Sequence, residues 1–370
     1  MKSVLIISVI CVISCWALPR ENCDANNCKL PDCRCYGQEI TLDLNKIPQM
    51  VLISSDDAIT LENYKNWYDK LYFSRKNPNN CSISATFFVP HEYTNYEKVH
   101  ALYAKGFEIA VNSITKNYSS EYWENATSDL LTQEFQGQKK ILAKFAQVAE
   151  TDIRGVRTPL LQINGDKTFT AIENSGLTYD NTWTTEKLNE WPYTLNFESK
   201  QDCLVGSCPK ETHKGKWVIP VVDWRDATDL PCATVQGCIN KPNDNENDIF
   251  NWFVSNFDRT YKKNKIPFNM IINSGLFAQK NLVAAYIKFL DYLKTLKDVY
   301  IVNHWQAIQW IQNPKEIGNK DLFPCIAAKP HNEKTARVCT LAKDDEMRYM
   351  TVYNQVCPAK YPWLNNPEGK

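Results

Sequence analysis

Short apolar runs alternate with amphipathic stretches between residues 50 and 312, which leaves few possible folds for the chain. The runs are apolar throughout, as in strands that are buried on both faces. The stretches between them place apolar residues at helical spacing, as in 127–147 and 281–297. Strands that alternate with helices predict a parallel sheet, most economically a β/α barrel. The predicted strands are 49–54, 84–90, 107–111, 217–222, 268–272 and 299–303.

The chain begins with an apolar segment that follows a lysine, MKSVLIISVICVISCWALPR. Cys15 and Ala17 supply the small residues of a cleavage site. The segment is too short to span a membrane, and no second apolar run of roughly 20 residues follows it. We therefore predict a signal peptide over 1–17 and a secreted, extracellular protein. A buried N-terminal strand is the alternative.

The cysteines also indicate secretion. Of the 14 in the chain, Cys11 and Cys15 lie in the predicted signal peptide, which leaves an even number, 12. In an oxidising compartment they predict a disulfide framework whose connectivity the sequence leaves open. Four of them lie within 23–35, where a zinc ribbon is the alternative. Three Asn-X-Ser/Thr sequons predict a glycoprotein, at Asn80, Asn117 and Asn125.

Charge and composition suggest how the rest of the chain is organised. Lysine plus arginine and aspartate plus glutamate number 42 each, which gives no sign of binding to nucleic acid or to an anionic membrane. The polar stretch 240–248 predicts a loop. We predict a cysteine-rich N-terminal extension over 18–45, a barrel over 46–318, and a disulfide-bonded, loop-like C-terminal extension over 319–370 that wraps the barrel.

Polar residues directly follow several of the predicted strands. Asp56 and Asp57 come after the first, Asn112 to Lys116 come after the third, and Asn273 follows the strand at 268–272. Arg157 lies in the sequence RTP between the third and fourth strands. In β/α barrels the loops at the carboxyl ends of the strands carry the chemistry. We therefore expect these side chains to share one face.

Six segments in order resemble the polysaccharide deacetylases of carbohydrate esterase family four: CKLPDCRC, PQMVLISSDDAIT, GVRTPLLQINGD, WPYTLNFESKQDC, PFNMIINSGLF and CPAKYPW. Within that family the chain looks most like insect chitin deacetylases of the midgut type, which lack a separate chitin-binding module. The resemblance covers nearly the whole mature chain. It implies a distorted parallel β/α barrel with disulfide-stapled N- and C-terminal extensions, a role in carbohydrate metabolism, and chitin or a related N-acetylated glycan as the partner.

The family hydrolyses acetamides with the help of a metal, zinc. The metal polarises the carbonyl and its bound water, an aspartate takes the water's proton, and a histidine protonates the leaving amine. The resemblance places Asp56 at the base and Asp57 at a metal ligand. It also matches Arg157 to the arginine that holds the base, Asp180 to a carboxylate that pairs with this arginine, and Trp183 to the groove wall. A core position is the alternative for Trp183.

The histidines of this mechanism are all replaced. The metal-binding motif H-[ST]-x-x-H reads Asn112-Ser113-Ile114-Thr115-Lys116, and the general-acid position holds Asn273. Asparagine offers a weak neutral oxygen, better suited to hard ions than to zinc, and it cannot donate a proton at useful pH. A lysine ammonium has no lone pair and repels a dication. Of the five histidines, His304 lies nearest to a strand end, and we interpret it as a core or surface residue.

These replacements predict a pseudoenzyme. It would be a secreted chitin deacetylase-like protein that binds no zinc, is catalytically impaired, and keeps a chitin- or glycan-binding groove in a chitinous matrix such as the gut lining. Trp183, Trp191 and Trp224 are the candidates for stacking on sugar rings. Lys116 is predicted to replace the positive charge of the metal, with a solvent-facing lysine as the alternative.

Two other functions remain open on the sequence. One is an active deacetylase with an altered metal site built from Asp56, Asp57 and Asn112. The other is a structural or salivary protein that reuses the barrel for a protein partner, which the sequence does not identify.

Overall fold

The computed structural model describes residues 22–370, so the predicted signal peptide at 1–17 lies outside the described residues. Within this range the strands are β1 (Gln49–Ser55), β2 (Thr86–Val89), β3 (Glu108–Val111), β4 (Gly155–Val156), β5 (Ile163–Asn164), β6 (Tyr179–Asp180), β7 (Thr184–Thr185), β8 (Tyr193–Thr194), β9 (Gly206–Ser207), β10 (Trp217–Val218), β11 (Val221–Val222), β12 (Trp224–Arg225), β13 (Pro231–Cys232), β14 (Phe268–Ile271), β15 (Val299–Ile301), β16 (Ala336–Lys343) and β17 (Glu346–Tyr353). The α-helices are α1 (Leu61–Asn63), α2 (Asp69–Tyr72), α3 (Tyr96–Ala104), α4 (Ser120–Asn125), α5 (Ser128–Phe145), α6 (Gly165–Asn174), α7 (Glu246–Tyr261), α8 (Ser274–Phe277), α9 (Lys280–Thr295) and α10 (His304–Gln312).

A curled sheet of nine strands forms the centre of the protein. Its strands follow the order β14-β1-β2-β3-β4-β6-β10-β8, and β15 pairs with the first half of β1. All of these pairings are parallel except that of β10 with β8. Within the described residues no pairing joins β14 to β8, so the sheet is a half-barrel. The predicted α/β fold with a distorted parallel barrel is confirmed.

The two faces of the sheet belong to different apolar clusters. Successive side chains of a strand point to opposite faces, and all seven residues of β1 are buried. One face packs against α10, and the other packs against α3, α5, α7 and α9. The cluster on the first face, the α10 cluster, includes Met50, Leu52, Phe88, Ala110, Tyr179, Ala307 and Ile308. The cluster on the other face includes Val51, Ile53, Phe87, Ile109, Leu102, Phe135, Phe253 and Phe289.

Six disulfides join the twelve cysteines of residues 22–370, which confirms the predicted framework. Cys23 pairs with Cys35 and Cys28 pairs with Cys33, so the zinc-ribbon alternative for this cluster is wrong, because disulfide sulfurs are not thiolate ligands. Two bridges close short loops, Cys203–Cys208 and Cys232–Cys238, and Cys339–Cys357 holds the C-terminal extension. The bridge Cys81–Cys325 is long-range, with a sequence separation of 244.

The C-terminal extension differs from its prediction. Instead of being loop-like, it forms a hairpin of two eight-residue strands, β16 and β17, joined at Asp344 and Asp345. One face of the hairpin is buried, with Cys339, Leu341 and Met350 pointing inward. Asp344, at the turn, has a φ of +52°, a conformation that aspartate adopts more readily than most residues.

Two further segments depart from their predictions. The strand expected at 217–222 is divided into β10 and β11, since Pro220 between them has no N–H to donate to a ladder. The loop expected at 240–248 ends at Asn245, whose side chain accepts a hydrogen bond from Asp248 N at 2.9 Å and begins α7.

None of the helices between residues 22 and 370 is both long enough and apolar enough to cross a membrane.

Candidate functional site

The ends of β1, β3 and β14 meet at Asp57. Its Oδ1 lies 3.3 Å from Lys116 Nζ, and its Oδ2 accepts a hydrogen bond from Ser274 N, just beyond β14. Lys116 Nζ also donates to the backbone oxygen of Asp56 at 2.6 Å. The structure therefore brings together Asp56, Asp57, Lys116 and the loop that contains Asn273, at the sheet edge where the sequence predicted them.

Lys116 is half-buried in this cluster. Its side chain is 25% exposed, and that of Asp57 is 20% exposed. The ammonium therefore contacts the Asp56–Asp57 segment rather than pointing into solvent. The Asp56 carboxylate, by contrast, accepts no hydrogen bond from the described residues, and it is the acidic group of the cluster that remains open to a ligand.

Glu134 on α5 holds the loop that carries Lys116. Its buried carboxylate accepts hydrogen bonds from Ile114 N at 2.8 Å, Thr115 N at 2.9 Å, Thr115 Oγ1 at 2.5 Å and Tyr122 Oη at 2.6 Å. Burial raises the pKa of Glu134, against the effect of these donors. Lys116 itself has a φ of +42°, which an L-residue seldom adopts. Glu134 was not predicted, because a charged residue is common in an amphipathic stretch such as 127–147.

Asn112 and Asn273 are the other residues that the resemblance matches to histidines. Asn112 is fully buried; its Nδ2 donates to Arg157 O at 2.9 Å, and its Oδ1 accepts from Ser113 Oγ at 3.1 Å. It therefore ties β3 to the segment after β4. Asn273 Oδ1 is buried and has no hydrogen-bond partner among the described residues.

Arg157 lies fully buried beneath the cluster. Its Nε donates to Asn181 O at 3.1 Å, and its Nη2 donates to Ser54 Oγ at 2.8 Å and to Asn181 Oδ1. Its guanidinium carbon lies 4.2 Å from the ring centroid of Phe88, a cation–π contact. Burial lowers the pKa of Arg157 to about 10, and Asp56 is the charge that most opposes this decrease, so the side chain stays cationic at neutral pH.

Asp180 makes no hydrogen bond or ion pair with Arg157 among the described residues, although its charge still raises the pKa of Arg157. Tyr179 lies in the α10 cluster, and Asn181 contacts Arg157 on the same face, so Asp180 between them points to the other face. There its Oδ2 accepts from Thr182 N at 2.9 Å and Trp183 N at 3.2 Å, while its Oδ1 has no partner among the described residues. Asn181 takes the place that the prediction gave to Asp180.

Burial raises the pKa of Asp180 to about 6, above the unfolded value near 4. Between about pH 4 and pH 6 the folded protein therefore binds more protons than the unfolded protein does. The contribution of this side chain to stability is fully present at low pH and is lost as the pH rises through about 6. We expect the free energy of unfolding of the parent, minus that of Asp180→Asn, to fall across this range and then level off. Urea unfolding at several pH values measures it. The exposed Asp32→Asn is the control, and a flat difference for Asp180→Asn would contradict the assignment.

The predicted groove tryptophans are core residues. Trp183 is 1% exposed and donates from Nε1 to Asp202 O at 2.8 Å, and Trp191 and Trp224 are also buried. Their ring faces are covered by protein, so the predicted stacking of these three on sugar is wrong, and the core alternative for Trp183 holds. Near the cluster, the exposed aromatic residue is Tyr118, two residues after Lys116 and 83% exposed.

His304 is also a core residue. Its ring is fully buried, packs against Phe88 and Tyr179, and has Nδ1 2.8 Å from Thr86 Oγ1. Burial lowers the pKa of His304 well below its usual value, and the nearby charge of Arg157 lowers it further. A histidine that stays neutral in the core cannot replace the missing general acid.

The residues present do not fit a zinc ion. Both oxygens of Asp57 are engaged, by Lys116 and by Ser274 N, and the Oδ1 of Asn112 is engaged by Ser113. Lys116 places a positive charge where a ligand would have to donate electrons. In the altered metal site considered above, Asp57 and Asn112 would have to share their oxygens with these donors, whereas Asp56 accepts no hydrogen bond from the described residues.

The three sequon asparagines are accessible to different degrees. Asn80 and Asn125 are exposed, and Asn117 is half-buried beside Lys116. Glycosylation of these residues remains a prediction.

Comparison with known proteins gave close relatives. The chain is 38% identical over 357 residues to Chitin deacetylase 8 of Bombyx mori, covering 94% of this chain and 93% of the relative. It is 35% identical over 376 residues to Chitin deacetylase 1 of the same species, covering 94% of this chain and 68% of the relative. No family model matches the chain. A crystal structure described as a polysaccharide deacetylase from Mycobacterium smegmatis aligns with a TM-score of 0.46 at 16% identity, covering 79% of this chain and 97% of that one.

Proposed function

The chain belongs to the chitin deacetylase family, and on this basis we propose that it is a secreted, catalytically impaired member that binds chitin or a related N-acetylated glycan. The observation that carries the proposal is the position of Lys116. Its ammonium lies against Asp57 Oδ1 and the backbone oxygen of Asp56, where the resemblance implies a metal ligand.

The impairment follows from what these side chains can do. The general-acid position holds Asn273, which has no proton to give at useful pH, and loss of such an acid alone costs on the order of 10²–10⁴-fold in rate. His304 does not supply that proton, because it is neutral and buried in the core. The loss of the metal ligands at Asn112 and Lys116 adds to the loss of rate.

Binding of an acetamide does not need the missing groups. An acetamide presents one carbonyl acceptor and one N–H donor. Lys116 has three N–H donors, of which two are used by Asp56 O and Asp57 Oδ1, so one is left for the carbonyl. The open carboxylate of Asp56 can accept the N–H. A cation and an anion side by side therefore match both polar groups of an N-acetyl substituent.

Secretion is part of this proposal and has its own support. Six disulfides within residues 22–370 are typical of an oxidising compartment. Four of them hold the two extensions.

Calorimetric titration with tetra-N-acetylchitotetraose tests the binding. We expect the parent to bind it, and Lys116→Met and Asp56→Ala each to weaken binding at the cluster by about tenfold or more, because each removes one hydrogen-bond partner of the acetamide. The matched control ligand is the glucosamine tetramer, which lacks the acetyl groups. Equal binding of both tetramers, or unchanged binding by both variants, would contradict the proposed site.

Acetate release tests the impairment. We expect no release from the N-acetylated tetramer by the parent, with or without added zinc, cobalt or manganese. Metal-stimulated release would instead support the altered metal site.

A further inference from the structure

A cavity of about 670 Å³ opens at the opposite end of the sheet from the Asp56–Lys116 cluster. It lies between the start of β3, helix α10 and the C-terminal segment at 321–329. Glu108, the first residue of β3, lines it, whereas Asn112 directly follows the last residue of this strand. Four residues of strand correspond to about 13 Å, so the cavity and the cluster cannot share one sugar ring.

The inner wall of the cavity is fixed by buried hydrogen bonds. Glu108 Oε2 accepts from Trp305 N at 3.0 Å and Thr86 Oγ1 at 2.9 Å, and its Oε1 accepts from Tyr179 Oη at 2.9 Å. Asn303 and Gln306 form a capping box at the start of α10. These contacts hold Trp305 and the first turn of α10 in place without any ligand.

The outer wall is held just as firmly. The disulfide Cys81–Cys325 attaches the C-terminal segment, and Asn79 Nδ2 donates to Leu322 O at 3.0 Å and to Phe323 O at 2.8 Å. Lys329 N donates to Ala104 O at 2.8 Å. The cavity is therefore preformed, and its volume lies within the usual range for small-molecule sites.

The lining is electrically balanced. Its three acidic and three basic side chains are Glu108, Asp152, Asp321, Arg154, Lys315 and Lys329. Asp152 pairs with both Arg154 at 2.8 Å and Lys329 at 3.0 Å. A phosphate or nucleotide would meet no excess of positive charge here, and a cationic ligand would meet no excess of negative charge.

Indole and carboxamide groups supply the recognition chemistry. Trp305 is partly exposed, and Arg154 covers its ring at 4.8 Å from the centroid. Trp305 Nε1 and the side-chain amides of Gln309 and Asn313 have no hydrogen-bond partner among the described residues. An aromatic body with polar tips suits a ligand that is apolar on one face and hydrogen-bonding at its edges. A pyranose ring has this character.

We propose that this cavity is a second binding site for an uncharged glycan, centred on Trp305, Gln309 and Asn313. The glycan class rests on the proposed function, whereas the site rests on the cavity alone. With one site at each end of the sheet, a single molecule bridges two glycan chains, and bivalent attachment to a matrix exceeds either single affinity.

Titration of the intact chain with tetra-N-acetylchitotetraose tests the second site. We expect two binding events in the parent. Trp305→Ala should weaken one of them about tenfold or more. The other event, which depends on Lys116 and Asp56, should stay unchanged. The double variant Gln309→Ala/Asn313→Ala alters two exposed side chains, so it should fold normally and weaken the same event. Bridging is measured as turbidity with a soluble, partly acetylated chitosan, which the parent should produce and Trp305→Ala should not.

The outcomes separate the two proposals. Loss of all binding in Lys116→Met, or an unchanged titration in both cavity variants, would overturn the second site. If Trp305→Ala loses all binding while Lys116→Met loses none of its binding, the result would support the cavity and contradict the function proposed for the cluster.

Discussion

Arg157→Met is expected to lower the free energy of unfolding by about 3–5 kcal/mol, as for the removal of one member of a buried polar network. The guanidinium is fully buried and donates to Ser54 and Asn181, and the variant would leave three acceptor atoms unpaired, Ser54 Oγ, Asn181 O and Asn181 Oδ1. Methionine fills much of the volume, so the loss reports on hydrogen bonds and charge more than on a cavity. Urea unfolding at neutral pH measures it.

Arg337→Met is the matched control, because Arg337 is an exposed arginine on β16. Its effect should stay within about 0.5 kcal/mol. If Arg157→Met is as stable as the control variant, the hydrogen bonds from Arg157 to Ser54 and Asn181 do not stabilise the fold. Asn181→Ala should then be measured, since Asn181 receives two of the three hydrogen bonds.

The triple variant Asn112→His/Lys116→His/Asn273→His is expected to gain stoichiometric zinc, which the parent should lose on dialysis against a weak chelator. The triple change supplies two imidazole ligands beside Asp57 and removes the ammonium that repels a dication. Single changes should achieve little, because groups that act together are not additive. Metal content by plasma mass spectrometry is the measurement.

The single variants Lys116→His and Asn112→His are the controls for the triple variant. Lys116→His tests whether removal of the cation is enough, and Asn112→His tests whether one imidazole binds zinc while the cation remains. If the triple variant folds and binds no zinc, the alignment of these loops with the family motif is wrong. Zinc retained by the parent would contradict the proposed loss of the metal.

The fold was predictable because its strands are buried on both faces. β1 has seven buried residues in a row, and such a run is visible in a sequence without any knowledge of its neighbours. The hairpin of β16 and β17 was missed since Val338, Met347 and Tyr349 are exposed apolar residues, which blurs the alternation of a strand with one buried face.

The site was predictable where it depends on strand ends, and not where it depends on which face a side chain takes. Asp56, Asp57 and Lys116 meet because their strands are parallel neighbours or near neighbours in the sheet. The choice between Asp180 and Asn181 as the partner of Arg157 depends on a register of one residue, which reverses the face. Trp183 was misplaced for a related reason. A motif gives the order of residues along the chain, but it does not show whether a side chain is buried or exposed.

The bridge between Cys81 and Cys325 has a consequence for the protein in a protease-rich environment. A single cut anywhere between these residues leaves two fragments that this bridge still joins, and a cut within the small loops closed by Cys203–Cys208 or Cys232–Cys238 leaves them joined twice. Such a nicked molecule migrates intact without reductant and separates only when thiols are added. The covalent ring of residues 81–325 thus contains the fold from β2 to α10, including Lys116, whereas β1 with Asp56 and Asp57 lies outside it. Digestion of the surface loops need not release the sheet from the extension that borders the cavity.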